Sequence, residues 1–254
     1  RCKILALARL SAANRPESRA SARVLPRLPL LCTQFSRTMK SIVILISGRG
    51  SNMEAILNAD LPLHVGAVIS NRPDAAGLAT AAAAGIPIRP LDHKLYPSRE
   101  QFDQALMDCI DEFSPDYVVL AGFMRILSEA FIRQYPRRII NIHPSLLPSF
   151  PGLHTHRQAL EAGVRIHGAT VHFVTPRLDH GPIIIQAAVP VHQGDDESTL
   201  AQRVLAQEHR IYPQALRWLA EDRLEFSAGD VVQFRSSGVS LVDKSQQLVS
   251  PGIL

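Results

Sequence analysis

Residues 41 to 46, Ser41-Ile42-Val43-Ile44-Leu45-Ile46, form an aliphatic, mostly β-branched run with no polar alternation. A run of this kind fits a strand buried on both faces, as in a parallel sheet covered by helices, and not a sheet with one wet side. It passes through Ser47-Gly48-Arg49-Gly50-Ser51-Asn52 into Met53, Glu54, Ala55, Ile56 and Leu57 at helical spacing, which predicts strand, glycine turn, helix. The unit then recurs. Residues 64–70 read as a strand and 75–84 as an alanine-rich helix, stopped by Gly85 and Pro87. A short strand over 86–91 precedes a helix beginning at Ser98, where Ser98 and Gln101 predict a capping box. In that helix Phe102, Ala105, Leu106, Cys109 and Ile110 recur at three and four, giving one buried stripe. Residues 117–122 form the next buried strand, and a helix over 129–134 leads to Ile139-Ile140-Asn141-Ile142-His143-Pro144-Ser145-Leu146-Leu147-Pro148. Proline brings no N–H to a sheet ladder, so that strand should stop at His143.

Beyond it, 148–152 reads as loop and 154–162 as a short helix. Residues 168–174 alternate like a half-exposed strand, and 182–191 form another, with Asp179-His180-Gly181 in the turn between. Residues 198–220 predict a long helix interrupted and kinked at Pro213, and the chain after Arg223 reads as a weak strand or two. The expected fold is therefore α/β: a single domain with a mostly parallel twisted sheet, helices on both faces, and an antiparallel addition near its C-terminal end. A chain of 254 residues with 46% apolar content can bury such a core.

Charge separates the leading segment from this body. Residues 1–38 carry eight Lys and Arg against one acid, Glu17, whereas the remainder carries 19 basic and 22 acidic residues. The mildly acidic body offers no basic face to a nucleic acid. The leading segment, rich in Arg, Ala, Ser and Leu and followed by Met39, has the composition of an organelle transit peptide, and equally of upstream DNA translated in frame ahead of a start at Met39. Either way it is set apart from a domain over 39–225 and a tail over 226–254. Cys2 and Cys32 fall in the segment and only Cys109 in the body, which provides no disulfide framework and fits a reducing compartment. No apolar run approaches the roughly 20 residues needed to span a bilayer.

Strand side chains alternate, so Asn141 and His143 should emerge on one face at the strand's C-terminal end, where open α/β sheets bind their ligands. A carboxamide beside an imidazole suits acyl transfer, in which an oxyanion is held while an amine loses a proton. A lone histidine at a strand end is more often structural than catalytic. The third element that favours catalysis is Asp179, whose carboxylate, returned to the same edge, would favour the charged imidazole and orient a water.

The glycine turn makes a site for phosphate at a helix N-terminus, although an ordinary tight βα turn has the same composition. Met53 stands where a dinucleotide fingerprint needs its third glycine, and the second strand ends at Ser70-Asn71 without a ribose-binding acid. One phosphate held by Gly50, Ser51 and Asn52, with Arg49 nearby, fits better. Ten histidines invite a metal reading, particularly His154, His156, His167 and His172, yet no ligand spacing, cysteine or acidic cluster joins them, so no metal is expected. The body also lacks the G-x-S-x-G of a serine nucleophile.

Over about residues 40 to 225 the chain resembles the folate-dependent phosphoribosylglycinamide formyltransferases. The resemblance rests on Ile46-Ser47-Gly48-Arg49-Gly50-Ser51-Asn52, Leu120-Ala121-Gly122-Phe123-Met124-Arg125-Ile126-Leu127, the run 141–148, Pro151-Gly152-Leu153-His154-Thr155-His156-Arg157, and Leu178-Asp179-His180-Gly181-Pro182. It implies a Rossmann-like formyltransferase fold and transfer of the formyl group of 10-formyltetrahydrofolate to the amine of glycinamide ribonucleotide, in purine synthesis. The implied catalytic residues are Asn141, His143 and Asp179. The nucleotide would meet Arg49, Gly50, Ser51 and Asn52, with Glu208 at its ribose. Folate contacts would fall on Arg99, Met124, Arg125, Ile126, Leu127, Asn141, Thr175, Pro176, Arg177, Leu178 and Asp179. One departure is His180, where the family often has glycine, which would make the Asp179 loop less free. The implied partners are the two small molecules, with no nucleic acid, membrane or metal, in a cytoplasmic monomer or homodimer, or in an organelle if residues 1–38 are a transit peptide. A 10-formyltetrahydrofolate hydrolase would share the trio but be expected to carry an N-terminal regulatory domain that 38 Arg-rich residues cannot form. Transferases acting on initiator tRNA or nucleotide sugars would carry an added C-terminal domain, and a non-catalytic nucleotide-binding module would leave the trio idle.

Overall fold

The computed structural model describes residues 39–235, so the expectations for residues 1–38 and for 236–254 lie outside the described residues. The β-branched runs become the parallel core of the sheet: β1 (Lys40–Ile46), β2 (Leu63–Ser70), β3 (Ile88–Pro90), β4 (Tyr117–Leu120) and β5 (Ile139–His143). Between them lie α1 (Ser51–Leu57), α2 (Ala76–Ala83), α3 (Arg99–Asp111) and α4 (Glu129–Gln134). Then follow α5 (Thr155–Glu161), β6 (Ile166–Phe173), β7 (Ile183–Pro190), α6 (Glu197–Ala220), β8 (Leu224–Phe226) and β9 (Val232–Phe234). The large sheet runs β3-β2-β1-β4-β5-β6-β7, parallel as far as β5 and antiparallel from β5 to β7, while β8 and β9 form a separate hairpin.

Alternation along each strand divides the core between the two faces. Ile42, Ile44 and Ile46 of β1 join Ile140 and Ile142 of β5 and Leu200, Val204 and Leu216 of α6 on one face. On the other, Val43, Leu45 and Ile139 pack with Phe102, Leu106 and Ile110 of α3 and Phe131 of α4. The expected start of α3 is present: Ser98 Oγ accepts from Gln101 N at 3.2 Å, satisfying a helix-end donor.

Three expectations need correction. β6 is buried along its whole length after Ile166, not half-exposed. Its polar positions face a covering loop: Thr170 Oγ1 donates to Ser145 O and accepts from Leu147 N, at 2.7 and 3.0 Å. α6 runs unbroken through Pro213, because ten of its residues, Pro213 among them, are buried and that packing outweighs the single hydrogen bond a proline removes. β3 is only three residues long. After Arg223 come the two short strands expected there, and their hairpin sets Phe226 against Phe173 (ring centroids 4.9 Å apart) and Phe234 against Trp218 (4.7 Å).

The Tyr212 side chain of α6 is fully buried, and its hydroxyl lies 3.0 Å from the carbonyl oxygens of both Leu120 and Ile140, the ends of β4 and the middle of β5. Tyr212→Phe is expected to cost about 1 to 2 kcal/mol of unfolding free energy, since two strand carbonyls lose a buried donor. Urea titration followed by circular dichroism measures it.

Candidate active site

The site begins at the C-terminal ends of β1, β2 and β4. Gly50 caps α1 with φ 79, a left-handed backbone that favours glycine, and a Cβ there would stand 3.2 Å from Gly77 Cα. Ser47 ties three strand ends together: its hydroxyl donates to Asn71 Oδ1 and accepts from Met124 N at 2.8 Å. A cavity of about 520 Å³ opens here, lined by residues 47–52, by Asn71, Arg72 and His93, and by Ala121, Gly122, Met124 and Arg125. Arg49, Arg72 and Arg125 give it a cationic wall suited to an anion. Asn71, Arg72 and His93 were not among the expected site residues; Asn71 and Arg72 follow β2 and His93 opens a short 3-10 turn after β3, and only the fold determines their approach.

Glu208 of α6 reaches the same turn. Asn52 Nδ2 donates to Glu208 Oε2 at 2.7 Å, and both residues are buried. Burial pushes the Glu208 carboxyl above its ordinary 4.5, partly opposed by the hydrogen bond from Asn52. A carboxyl raised in this way stabilises the fold only while protonated, and the contribution is lost as pH rises through the shifted value. Glu208→Gln is therefore expected to melt at a higher temperature than the natural protein near neutral pH, with the gap closing below about pH 4, where both side chains are neutral. Calorimetry across that range checks the sign.

The second half of the site lies on β5 and β6. Asn141 and His143 share a face, and the antiparallel register sets His172 opposite Asn141 and Thr170 opposite His143. His143 Nε2 lies 3.0 Å from Phe150 O and, because a carbonyl only accepts, carries the hydrogen of that bond. Nδ1 is thereby left to face Asp179 Oδ2 at 3.6 Å. The Asp179 carboxylate is itself held, accepting from Gly152 N at 2.8 Å.

Asp179 arrives by an unexpected route. Since β6 is antiparallel, the loop after it leaves beside the start of β5, where Val174 N donates to Ile139 O at 2.9 Å. It reaches His143 by folding back over the face of β5 and β6, not along the sheet edge. The left-handed backbone of this turn is at Asp179 itself, φ 48, and His180 is not among the described residues with positive φ, so no glycine is required at 180. Gly181 is needed for space: a Cβ would fall 1.7 Å from Phe173 O.

Of the remaining expected residues, Arg125 lays its guanidinium over the Phe102 ring, 4.7 Å from the centroid. Met124, Ile126 and Leu178 are exposed apolar side chains, at 75%, 64% and 55%, on the two loops that flank the site, whereas Leu127 is buried. Thr175 Oγ1 donates to Arg177 O at 3.2 Å, bracing the loop around Pro176. Arg99 stands apart: it opens α3, half-exposed beside Glu100 at 3.5 Å, and does not line the cavity. The histidines weighed for metal separate likewise. His154 caps α5 away from the others, only His156 and His167 meet, edge to face at 5.3 Å, and among the described residues no three His, Cys, Asp or Glu side chains are placed to hold a metal ion.

An anion cradle, a carboxamide and a carboxylate-backed imidazole at one end of a mixed sheet match a known group of proteins. The formyl transferase family model matches residues 40–216. Phosphoribosylglycinamide formyltransferase of Escherichia coli is 54% identical over 189 residues, covering 73% of this chain and 89% of the relative. The human trifunctional purine biosynthetic protein adenosine-3 is 47% identical over 195 residues, and the match spans only 19% of that longer protein. The crystal structure of glycinamide ribonucleotide transformylase 1 from Symbiobacterium toebii superposes with a TM-score of 0.75 at 50% identity, over 77% of this chain and 94% of the other. The chain belongs to the formyl transferase family and, within it, to the phosphoribosylglycinamide formyltransferases.

Proposed function

We propose that the chain transfers the formyl group of 10-formyltetrahydrofolate to the primary amine of glycinamide ribonucleotide, giving formylglycinamide ribonucleotide and tetrahydrofolate. The observation that carries this reading is the approach of the Asp179 carboxylate to within 3.6 Å of His143, beside Asn141 and at the end of the sheet that holds the cradle. The folate supplies the formyl carbon. Gly50, Ser51 and Asn52 bind the nucleotide's phosphate with Arg49 beside them, and Glu208 meets the ribose. Met124, Ile126 and Leu178 offer apolar cover to the folate ring, with Arg125 and the loop 175–179 around it.

As the amine attacks, a C–N bond forms to the formyl carbon, and the bond from that carbon to the folate nitrogen then breaks. Negative charge gathers on the formyl oxygen, where Asn141 donates together with the Nδ1–H of protonated His143, which at 3.6 Å is paired with Asp179 by charge and not by a hydrogen bond. Asp179 holds the charged ring by its own charge, and a water it orients carries the amine's proton to the leaving nitrogen. No formyl group is attached to the protein at any step. The mildly acidic body is consistent with small-molecule substrates and with no nucleic-acid partner, and the compartment we propose is the cytoplasm, or an organelle if residues 1–38 are a transit peptide.

The test is to follow folate absorbance with and without glycinamide ribonucleotide. Turnover that requires the nucleotide is expected. Turnover at the same rate without it would mark a hydrolase, and none under either condition a binding module.

A further inference from the structure

His172 takes no part in the proposed chemistry and is nearly inaccessible, 1% exposed, yet it stands directly across the strand pair from Asn141. Its ring nitrogens have different partners. Nδ1 lies 2.9 Å from the backbone oxygen of Phe173; that oxygen can only accept, so Nδ1 bears the hydrogen. Burial holds the imidazole pKa down, against the opposing hydrogen bond to Phe173 O and the pull of Asp179, whose Oδ1 is 4.0 Å from Nε2, and with the aid of His143. In the resulting neutral ring Nε2 is a bare acceptor.

Asn141 Nδ2 is 3.3 Å from that acceptor. A carboxamide is almost symmetric in shape, so it can turn over about its last bond at little steric cost. Here the reversed orientation would set Asn141 Oδ1 against a bare nitrogen, two acceptors face to face. We propose that His172 is a positioning residue for formyl transfer: it accepts one N–H of Asn141 and thereby fixes the carboxamide with its other N–H available to the reacting oxygen. The inference rests on the role given to Asn141 above.

Two variants of the full chain test it. His172→Leu keeps the bulk and removes the acceptor, and is expected to lower kcat about 30-fold while leaving KM for both substrates within about threefold, as for loss of an oriented transition-state donor. His172→Gln returns an accepting oxygen and is expected to restore kcat to within about fivefold of the natural protein. Equal kcat in the two variants, whether both intact or both impaired, would overturn the proposal. A measurement that needs no turnover separates it from the proposed reaction: nitrogen-15 shifts of the His172 ring should report a bare, hydrogen-bonded Nε2 that changes in Asn141→Ala. A protonated Nε2, or a shift unmoved by Asn141→Ala, would refute the positioning role. A responsive ring in a chain that never formylates the nucleotide would instead refute the function.

Discussion

His143→Ala is expected to slow single-turnover formyl transfer by about a thousandfold, roughly 4 kcal/mol in the barrier, because one side chain supplies both an oxyanion donor and the charge that Asp179 is placed to hold. The substitution empties a position only 5% exposed and leaves Phe150 O and the Asp179 carboxylate without their partner. Some loss of stability will accompany it, so the rate should be measured by rapid quench on protein shown to be folded by circular dichroism. KM for the ribonucleotide should hardly move, since the cradle at residues 50–52 lies on α1 and the turn before it, apart from β5. A rise in KM with kcat unchanged would mean that His143 binds and does not catalyse.

Asp179→Asn separates charge from geometry. Asp179 Oδ2 accepts from Gly152 N at 2.8 Å, a bond that an asparagine oxygen can keep, so the loop should stay in place. What disappears is the negative charge beside the ring. A fall in kcat of about 10³-fold is expected, less than the roughly 10⁴-fold lost when a carboxylate hydrogen-bonded to a catalytic histidine is made neutral, because at 3.6 Å this pair acts through charge and not through a hydrogen bond. Asp179→Ala should be similarly slow but less stable, because it strands the Gly152 N–H as well. If Asp179→Asn were nearly as fast as the natural protein while Asp179→Ala was slow, the carboxylate would be only a loop anchor.

Legibility in the sequence followed the range of the interactions. The runs at 41–46, 117–120 and 139–143 declare doubly buried strands through composition alone, and Pro144 marks where the last one ends. The glycine turn was equally plain, because left-handed backbone at Gly50 is a local requirement. β6 was misjudged for a physical reason: its alternation is real, but the polar side chains of Thr170 and His172 face a covering loop and Asn141, not water. The path of the 174–182 loop and the approach of Arg72 and His93 depend on strand direction and order, which no periodicity encodes. Glu208 was placed at the site only by resemblance, and its pairing with Asn52, 156 residues away in the chain, is visible only in the structure.

The most direct test of the account is a double-mutant cycle between His143 and Asp179, read as single-turnover formyl transfer. If Asp179 acts mainly by holding the charged ring, adding Asp179→Asn to His143→Ala will cost at least about tenfold less than Asp179→Asn costs alone, the remainder being its part in orienting the water. Losses that multiply, so that the double variant falls by the product of the single effects, would show that the carboxylate and the imidazole act independently and would contradict the mechanism.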